Sequence, residues 1–334
     1  MSGLNRPNPV GGSRITGIGG YRPERVVTNA DLVEAINSSD EWIRERTGIQ
    51  ERRFARPDET VSDMAVEAGR AALADAGVDA ADLDLLLVAT ATHPYQTPDA
   101  SMGVAHRLGA HDAGTFDVGA ACSGFAYALT TASNAILAGQ AKKVLVIGTD
   151  KMTDYLDLTD RGTAFIFGDG AGAVVVEAAD HVGIGPTVWG NSGEHADAIT
   201  MTHDWVTYRH QPVGTKYPSL LMQGQTVFRW ALSEMVAVAE AAVTAAGLEL
   251  ADLSAFVPHQ ANMRITDALV RGLHLPESVV VARDIITNGN TTAGTIPLAL
   301  ERLREDGTYV KGGYALLLGF GAGLAYAGVV VELP

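Results

Sequence analysis

Continuous apolar runs alternate with alanine-rich amphipathic stretches along most of the chain. The runs at 85–90 and 144–148 are almost entirely apolar, which is typical of strands in a sheet that is covered on both faces. The stretch 125–138 carries alanine on broad faces, as expected of a helix that packs closely against its neighbours. This alternation predicts the α/β fold class.

The chain contains the same plan twice. Residues 64–86 read MAVEAGRAALADAGVDAADLDLL, an amphipathic helix followed by a glycine and an apolar strand, and residues 235–256 repeat it as MVAVAEAAVTAAGLELADLSAF. The pairs that recur 170 residues apart are Gly77 and Gly247, Asp82-Leu83 and Asp252-Leu253, and Gly124 and Gly294, while Gly148 and Gly319 are 171 apart. The pattern predicts a duplicated unit with halves at 1–180 and 181–334. A cleft between two such halves is a usual place for a ligand.

Composition narrows the class of protein. The chain has 334 residues, of which 47% are hydrophobic and 19% charged, so it can bury large cores. Its 24 basic and 39 acidic residues give a net charge of −15, which argues against general nucleic-acid binding. The single cysteine excludes an intramolecular disulfide and a cysteine-cluster metal site, and this fits a cytoplasmic protein.

A membrane location is not expected. The first twenty residues lack the apolar core of a signal peptide. Residues 314–331 are uncharged over a length that could span a bilayer, but glycines occupy positions 319, 321 and 323 at their centre. We therefore interpret this stretch as two buried strands joined by a glycine turn.

The single cysteine occupies a turn of small residues. In FDVGAACSGFAYAL, Cys122 lies between a strand end and a helix start, where the helix dipole favours a thiolate. This placement suits a covalent nucleophile. The alternative is an unreactive cysteine, since free cysteines are among the most buried residues.

A histidine and an asparagine are predicted to meet this cysteine. His259 follows Pro258 at the end of an apolar strand, and Asn290 lies in the turn NGNTTAG, which leads into a helix. By the repeat, residues 290–292 lie opposite residues 120–122, so that both helix N-termini point into one cleft. The pattern predicts a Cys–His–Asn site, whereas the alternatives are a surface histidine and an ordinary asparagine turn.

Two glycine-rich strings resemble phosphate-binding loops only superficially. GDGAGA (168–173) and GFGAGLA (319–325) lack the strand–turn–helix context of a dinucleotide-binding fingerprint. The second string joins two strands and brings backbone N–H groups to the cleft. It therefore suits an oxyanion hole.

Together these motifs resemble the β-ketoacyl-acyl-carrier-protein synthase III family, and most of all its actinobacterial members. The likeness runs from residue 15 to residue 334 through GGYRPERVVTN, SSDEWIRERTGI, ACSGF, DRGTAFIFGDGAGA, VPHQAN, GNTTAG and GFGAG. The resemblance implies a thiolase-like fold, in which two βαβαβαββ halves form a five-layer α-β-α-β-α sandwich. It also implies a homodimer.

The resemblance further implies a two-step reaction that needs no metal or redox cofactor. Cys122 would attack an acyl-coenzyme A thioester while the N–H groups of Cys122 and Ala322 hold the oxyanion. His259 and Asn290 would then bind the malonyl thioester carried by an acyl carrier protein and stabilise the enolate that forms on decarboxylation. Attack of this carbanion on the acyl-cysteine gives a β-ketoacyl thioester, which initiates fatty-acid or polyketide synthesis.

Other residues take roles by the same resemblance. Phe320 would pack beside the cysteine, and Asn262 would support the malonyl site. The remaining assignments are Trp42, Arg46 and Arg161 for coenzyme A, Arg229, Arg264 and Arg271 for the acidic carrier protein, and Thr97 for the acyl pocket. Ala322 replaces a glycine of other members, which keeps the N–H donor but narrows the backbone angles open to it.

The acyl pocket is expected to accept primers longer than acetyl. Thr97 stands where short-chain members carry phenylalanine, and in the family this residue comes from the dimer partner. A smaller side chain leaves a longer or wider pocket. A loop at 196–222 with Trp205, Tyr208 and Tyr217 is expected to cover it.

Three other functions fit parts of the pattern. A starter-unit acyltransferase of the same fold, which passes the acyl group to an alcohol or carrier acceptor without condensation, needs Cys122 and His259 but not Asn290. A papain-like protease shares the order Cys, His, Asn, but the signature around its cysteine is absent here. A catalytically inactive carrier-binding protein is the non-enzyme alternative, and it predicts that Cys122 cannot be acylated.

Overall fold

The computed structural model describes residues 10–334. Residues 1–9 lie outside the described residues. They include the start of the first predicted half and part of the stretch in which no signal peptide is expected. The strands are β1 (Gly12–Tyr21), β2 (Arg25–Thr28), β3 (Glu51–Phe54), β4 (Leu85–Ala89), β5 (Gly114–Val118), β6 (Lys143–Asp150), β7 (Gly170–Ala179), β8 (Val188–Asn191), β9 (Ile199–Met201), β10 (Leu220–Met222), β11 (Leu253–Pro258), β12 (Val280–Val281), β13 (Tyr314–Gly321) and β14 (Ala325–Glu332). The helices are α1 (Asp40–Thr47), α2 (Val61–Ala76), α3 (Ala100–Leu108), α4 (Gly124–Leu137), α5 (Trp205–Tyr208), α6 (Gly224–Ala245), α7 (Met263–Gly272), α8 (Ile285–Asn288) and α9 (Thr295–Glu305).

The helix ends follow local sequence signals. The Thr60 side chain accepts a hydrogen bond from the Asp63 N–H, and the Asp63 carboxylate accepts one from the Thr60 N–H, so a capping box starts α2. The same helix ends at Gly77, whose φ of 66° is in the left-handed region that glycine tolerates best. The predicted helix at 125–138 corresponds to α4.

Two five-stranded sheets have the same construction. The first has the order β1-β7-β6-β4-β5, and the second, read from its β8 edge, has the order β8-β14-β13-β11-β12. In both sheets the first two pairings are antiparallel and the last two are parallel. This shared order confirms the predicted duplication of an α/β unit. The predicted boundary at residue 180 falls in the connection between β7 and β8 and stays a prediction.

The helices and sheets form five layers. Helices α4 and α9 lie between the two sheets and contact both. The outer face of the first sheet is covered by α2 and α3, and that of the second sheet by α6 and α7. Because the central helices are covered on both sides, Phe125, Leu129, Ile296 and Leu300 are all fully buried. The five-layer α-β-α-β-α sandwich predicted from the family resemblance is confirmed.

The repeat aligns differently at the central helices than the sequence suggested. Helix α4 begins at Gly124 and α9 begins at Thr295, which is an offset of 171. A non-glycine residue with positive φ precedes each helix, Ala121 at 43° and Thr292 at 49°. Ala121 therefore corresponds to Thr292, so the predicted pairing of residues 120–122 with 290–292 is wrong by one residue. Both turns have a strained backbone, which is often found at functional sites.

The glycine-rich strings belong to strands. Residues 314–331 fall in β13 and β14, which pair antiparallel, as the sequence predicted. The GDGAGA string leads into β7 and not into a helix. Among residues 10–334, no helix has the length and apolar character needed to cross a bilayer.

Candidate active site

A cavity of about 1000 Å³ opens where the start of α4, the ends of β11 and β13, and the turn before α9 meet. Eleven of the thirteen predicted site residues line it, namely Trp42, Arg46, Cys122, Arg161, Arg229, His259, Asn262, Arg264, Asn290, Phe320 and Ala322. Thr97 and Arg271 are exposed and lie outside its lining. The structure thus brings Cys122, His259 and Asn290 to one cavity, as the sequence predicted.

Two backbone N–H groups act on the cysteine sulfur. The N–H groups of Ala322 and of Cys122 itself both lower the pKa of the thiol. The end of β13 packs tightly against this side chain, since a Cβ placed on Gly321 would lie 2.5 Å from Cys122 Cβ and 2.8 Å from Sγ. The GFGAG turn therefore places bare backbone beside the sulfur. Such a pair of N–H donors can stabilise negative charge on the sulfur or on an oxygen bound next to it.

The cysteine is a thiol and not the thiolate that the sequence suggested. Burial, together with the nearby Asp150 carboxylate, raises the pKa of Cys122 to about 12, although the Ala322 and Cys122 N–H groups lower it. Desolvation disfavours the charged form of a buried acid. The helix N-terminus lowers the pKa of Cys122 too little to offset this desolvation, because the residue is only 8% exposed.

We expect alkylation of Cys122 by iodoacetamide to accelerate about tenfold per pH unit from pH 7 to pH 10 without a plateau, because only the thiolate reacts and the pKa is about 12. Intact mass measures the reaction unambiguously, since the chain has one cysteine. N-acetylcysteine serves as the control, and its rate levels off above its ordinary pKa of about 8.5. A plateau of the Cys122 rate below pH 8 would contradict the buried-thiol assignment.

His259 is held by the neighbouring strand β13 and by a hydroxyl behind it. Its N–H donates to the Leu318 carbonyl at 2.8 Å, and its ring Nδ1 lies 2.7 Å from Thr295 Oγ1. The Phe320 ring packs edge-on against the imidazole at 5.3 Å between centroids. Burial lowers the pKa of His259 to about 3, so the imidazole is neutral at physiological pH.

Asn290 presents a hydrogen-bond donor to the cavity. Its backbone N–H donates to the Ile166 carbonyl at 2.9 Å, and its carbonyl accepts from the Gly168 N–H at 3.0 Å, which fixes the turn. Its side-chain Oδ1 accepts from the Thr292 N–H at 2.8 Å. Because the amide oxygen is engaged within the turn, the amide Nδ2 group remains for a ligand in the cavity.

Asp150 is a buried residue behind the cavity lining that the sequence did not indicate. Its carboxylate accepts hydrogen bonds from the segment that follows β4 and from the Asn290 turn. The donors are Thr90 Oγ1, Ala91 N, Thr92 Oγ1, Thr292 Oγ1 and Ala293 N. Burial raises the pKa of Asp150 despite these donors. The only sequence signal was an acidic residue at the end of the apolar strand β6.

The mouth of the cavity carries aromatic and basic side chains. The Arg161 and Arg46 guanidinium groups lie 5.0 and 5.5 Å from the Trp42 ring centroid, which is the range of cation–π contacts. Asn262 caps α7 by accepting from the Arg264 N–H at 2.9 Å and donates to the Arg46 carbonyl at 3.0 Å. This bond links the start of α7 to α1, so the two sides of the mouth are joined.

An aromatic cluster flanks the same mouth. Trp205 lines the cavity, and its ring lies 5.2 Å from Tyr217 and 6.4 Å from Tyr208. The loop is tied to the Arg161 side of the mouth by an ion pair between Lys216 Nζ and Asp157 Oδ2 at 2.7 Å. The loop at 196–222 therefore lies where a segment that covers the cavity is expected.

Comparisons with known proteins agree with this site. A family model described as 3-oxoacyl-[acyl-carrier-protein (ACP)] synthase III matches residues 116–193, and the model of its C-terminal part matches residues 243–333. A β-ketoacyl-[acyl-carrier-protein] synthase III of Streptomyces glaucescens is 52% identical over 322 residues, which is 96% of each chain. A mycobacterial β-ketoacyl-[acyl-carrier-protein] synthase III of Mycobacterium avium is 47% identical over 334 residues and covers 100% of this chain and 98% of its own.

One solved structure is very similar to this chain. It is the priming β-ketosynthase from the R1128 polyketide biosynthetic pathway, with a TM-score of 0.97 and 49% sequence identity over 100% of this chain and 99% of its own. The predicted likeness to actinobacterial members is confirmed, since the curated relatives at about this identity come from Streptomyces and mycobacteria.

Proposed function

The chain belongs to the 3-oxoacyl-[acyl-carrier-protein] synthase III family, and from this we propose that it condenses an acyl-coenzyme A primer with a malonyl-acyl carrier protein to initiate fatty-acid or polyketide synthesis. One observation carries the proposal for this particular chain. The Cys122 sulfur packs against the backbone of the GFGAG turn in the same cavity as a neutral imidazole and an asparagine amide donor.

In the first half-reaction, Cys122 takes the acyl group from coenzyme A. The sulfur attacks the thioester carbonyl, and the Cys122 and Ala322 N–H groups stabilise the oxyanion of the tetrahedral intermediate. The C–S bond to coenzyme A then breaks, and the proton of the Cys122 thiol leaves with the coenzyme A thiol. The geometry supports this step because the backbone of the GFGAG turn packs directly against the sulfur.

In the second half-reaction, the malonyl group loses carbon dioxide. Asn290 Nδ2 and His259 donate to the malonyl thioester carbonyl and stabilise the enolate. The enolate carbon attacks the acyl-Cys122 carbonyl and forms the new C–C bond. The C–S bond to Cys122 breaks, and the leaving thiolate takes a proton from water. Because loss of carbon dioxide generates the carbanion, the reaction needs no metal or redox group.

The mouth suits the two carriers of these acyl groups. We assign Trp42, Arg46 and Arg161 to the nucleotide end of coenzyme A, because a nucleobase can stack on the indole under a guanidinium group. In the observed arrangement Arg161 packs directly on Trp42, so its side chain must withdraw for a base to enter. Arg229, Arg264 and Arg271 are exposed on α6 and α7 and suit the acidic carrier protein.

We also propose a homodimer through the β5 edge of the first sheet. Among the strands of residues 10–334, β5 pairs only with β4, so within this part of the chain one row of its backbone groups has no sheet partner. Large apolar side chains nearby are exposed, namely Phe116 at 41%, Met102 at 52% and Tyr95 at 68%. Thr97 lies in the same region, outside the cavity of its own chain, which supports its assignment to the acyl pocket of the partner.

The cytoplasmic location of the protein also stays a prediction.

Intact-protein mass spectrometry tests the proposed reaction. The protein is incubated with acyl-coenzyme A thioesters from acetyl to long-chain and then with malonyl-acyl carrier protein, in parallel with Cys122→Ala. We expect a mass increase that is absent from the variant and is discharged by the malonyl carrier with formation of a β-ketoacyl product.

Three other outcomes would contradict this proposal. Loading followed by discharge to another acceptor, with no β-ketoacyl product, would indicate the non-condensing acyltransferase. Loading that persists in Cys122→Ala would place the nucleophile elsewhere. No loading with any primer would indicate an inactive carrier-binding protein.

A further inference from the structure

The Thr295 hydroxyl lies behind His259. It has one proton to donate and two possible acceptors for it. Thr295 Oγ1 is 2.7 Å from His259 Nδ1 and 2.9 Å from the Thr292 carbonyl oxygen. All three groups are buried, with exposed fractions of 1% for Thr295, 2% for His259 and 4% for Thr292. The direction in which the hydroxyl donates decides which ring nitrogen of His259 carries the proton, since a neutral imidazole has only one.

The two orientations have opposite consequences for the cavity. If the hydroxyl donates to Thr292, then Nδ1 must donate to Oγ1, and Nε2 is a bare acceptor. If the hydroxyl turns to Nδ1, then Nδ1 is the acceptor, and Nε2 carries the ring proton. Only the second arrangement offers a donor to a thioester carbonyl or an enolate oxygen.

The surrounding backbone permits the second orientation without loss. The Thr292 carbonyl also accepts the backbone N–H of Thr295, so it keeps a donor when the hydroxyl turns away. Among the described residues, Thr295 Oγ1 is the hydrogen-bonding neighbour of Nδ1, so this hydroxyl is the group that can donate to a bare Nδ1. The groups behind the ring are paired in either orientation, and it is the donor that the proposed condensation requires on Nε2 that selects the hydroxyl pointing at the ring.

We propose that Thr295 is a positioning residue that donates to His259 Nδ1 and thereby keeps Nε2 of a neutral imidazole protonated toward the malonyl thioester. This rests on the proposed condensation, and it adds a residue to the second half-reaction only. Acyl transfer to Cys122 does not need a donor on His259, because the oxyanion is held by backbone N–H groups. The two half-reactions should therefore respond differently to a change at Thr295.

Thr295→Val removes the hydroxyl and keeps the shape of the side chain. We expect decarboxylation of malonyl-acyl carrier protein by the acyl-enzyme to fall at least about tenfold, while acyl loading of Cys122 stays within about threefold of wild type. Thr295→Ser, which restores the hydroxyl, should recover most of the decarboxylation rate. Thr291→Val is the matched control, since it makes the same exchange in the same segment at a hydroxyl that is not bonded to the ring.

Nitrogen-15 NMR of the histidine rings reads the tautomer directly. We expect the wild-type His259 signals to show a protonated Nε2 and a bare Nδ1, with a clear population of the other tautomer in Thr295→Val. A wild-type ring protonated at Nδ1, or Thr295→Val that decarboxylates like wild type, would overturn the proposal. If wild-type protein neither loads nor condenses, the proposed function fails instead, and the NMR result still decides the tautomer.

Discussion

Gly321→Ala is expected to slow acyl transfer to Cys122 by at least about a thousandfold while the protein stays folded. The new Cβ would lie 2.5 Å from Cys122 Cβ and 2.8 Å from Sγ, far inside the usual carbon contact of about 3.5–4.0 Å. Cys122 Cβ is fixed to a strained backbone turn and cannot swing away, so the sulfur must move relative to the Ala322 N–H.

The size of the effect follows from what the displacement removes. Misplacement by about 1 Å costs about a hundredfold in rate, and loss of one oxyanion donor costs about a hundred- to a thousandfold. Rapid-quench acylation with the best primer, followed by intact mass, measures the rate. Gly119→Ala is the matched control, because a Cβ there meets open space only three residues before Cys122. Near-normal loading of Gly321→Ala would show that the turn can move away from the new Cβ, which would contradict tight packing against Cys122.

The sequence predicted the fold and the meeting of three candidate residues for a physical reason. Both halves use one pattern of strand, turn and helix, so the repeat alone brings the turn after β5 and the turn before α9 to the same cleft. The glycine spacing could not fix the pairing to the residue, since the offset changes from 170 at Gly77 and Gly247 to 171 at the two central helices. The helix starts and the positive φ of Ala121 and Thr292 reveal the correct match.

The repeat did not predict how burial affects individual residues of the site. The helix N-terminus favoured a thiolate at Cys122, but burial and the Asp150 carboxylate oppose it, and neither can be judged from local sequence. Asp150 at the end of β6 resembles any polar residue that closes a strand. The role of Thr295 beside His259 was not predictable for a similar reason, because a threonine at a helix start is ordinarily interpreted as part of the helix terminus.

Asn290→Asp is expected to reduce decarboxylation and condensation by more than about a thousandfold at pH 8, while acyl loading of Cys122 stays within about threefold of wild type. The substituted side chain has nearly the same shape, and one of its oxygens can still accept from the Thr292 N–H. The other oxygen replaces the amide donor with negative charge, and it therefore repels the enolate that the donor would stabilise.

The pH dependence of this variant separates a lost donor from a damaged turn. Burial raises the pKa of a carboxyl group, and the introduced carboxyl, once it is protonated, can again donate a hydrogen bond. Decarboxylation by Asn290→Asp should therefore rise relative to wild type as the pH falls from 8 to 6, measured as carbon dioxide released from malonyl-acyl carrier protein. Asn191→Asp, which adds the same charge on the edge strand β8, should show neither the loss nor the recovery. An equal loss of loading and decarboxylation that does not change with pH would mean that the turn itself has been disrupted.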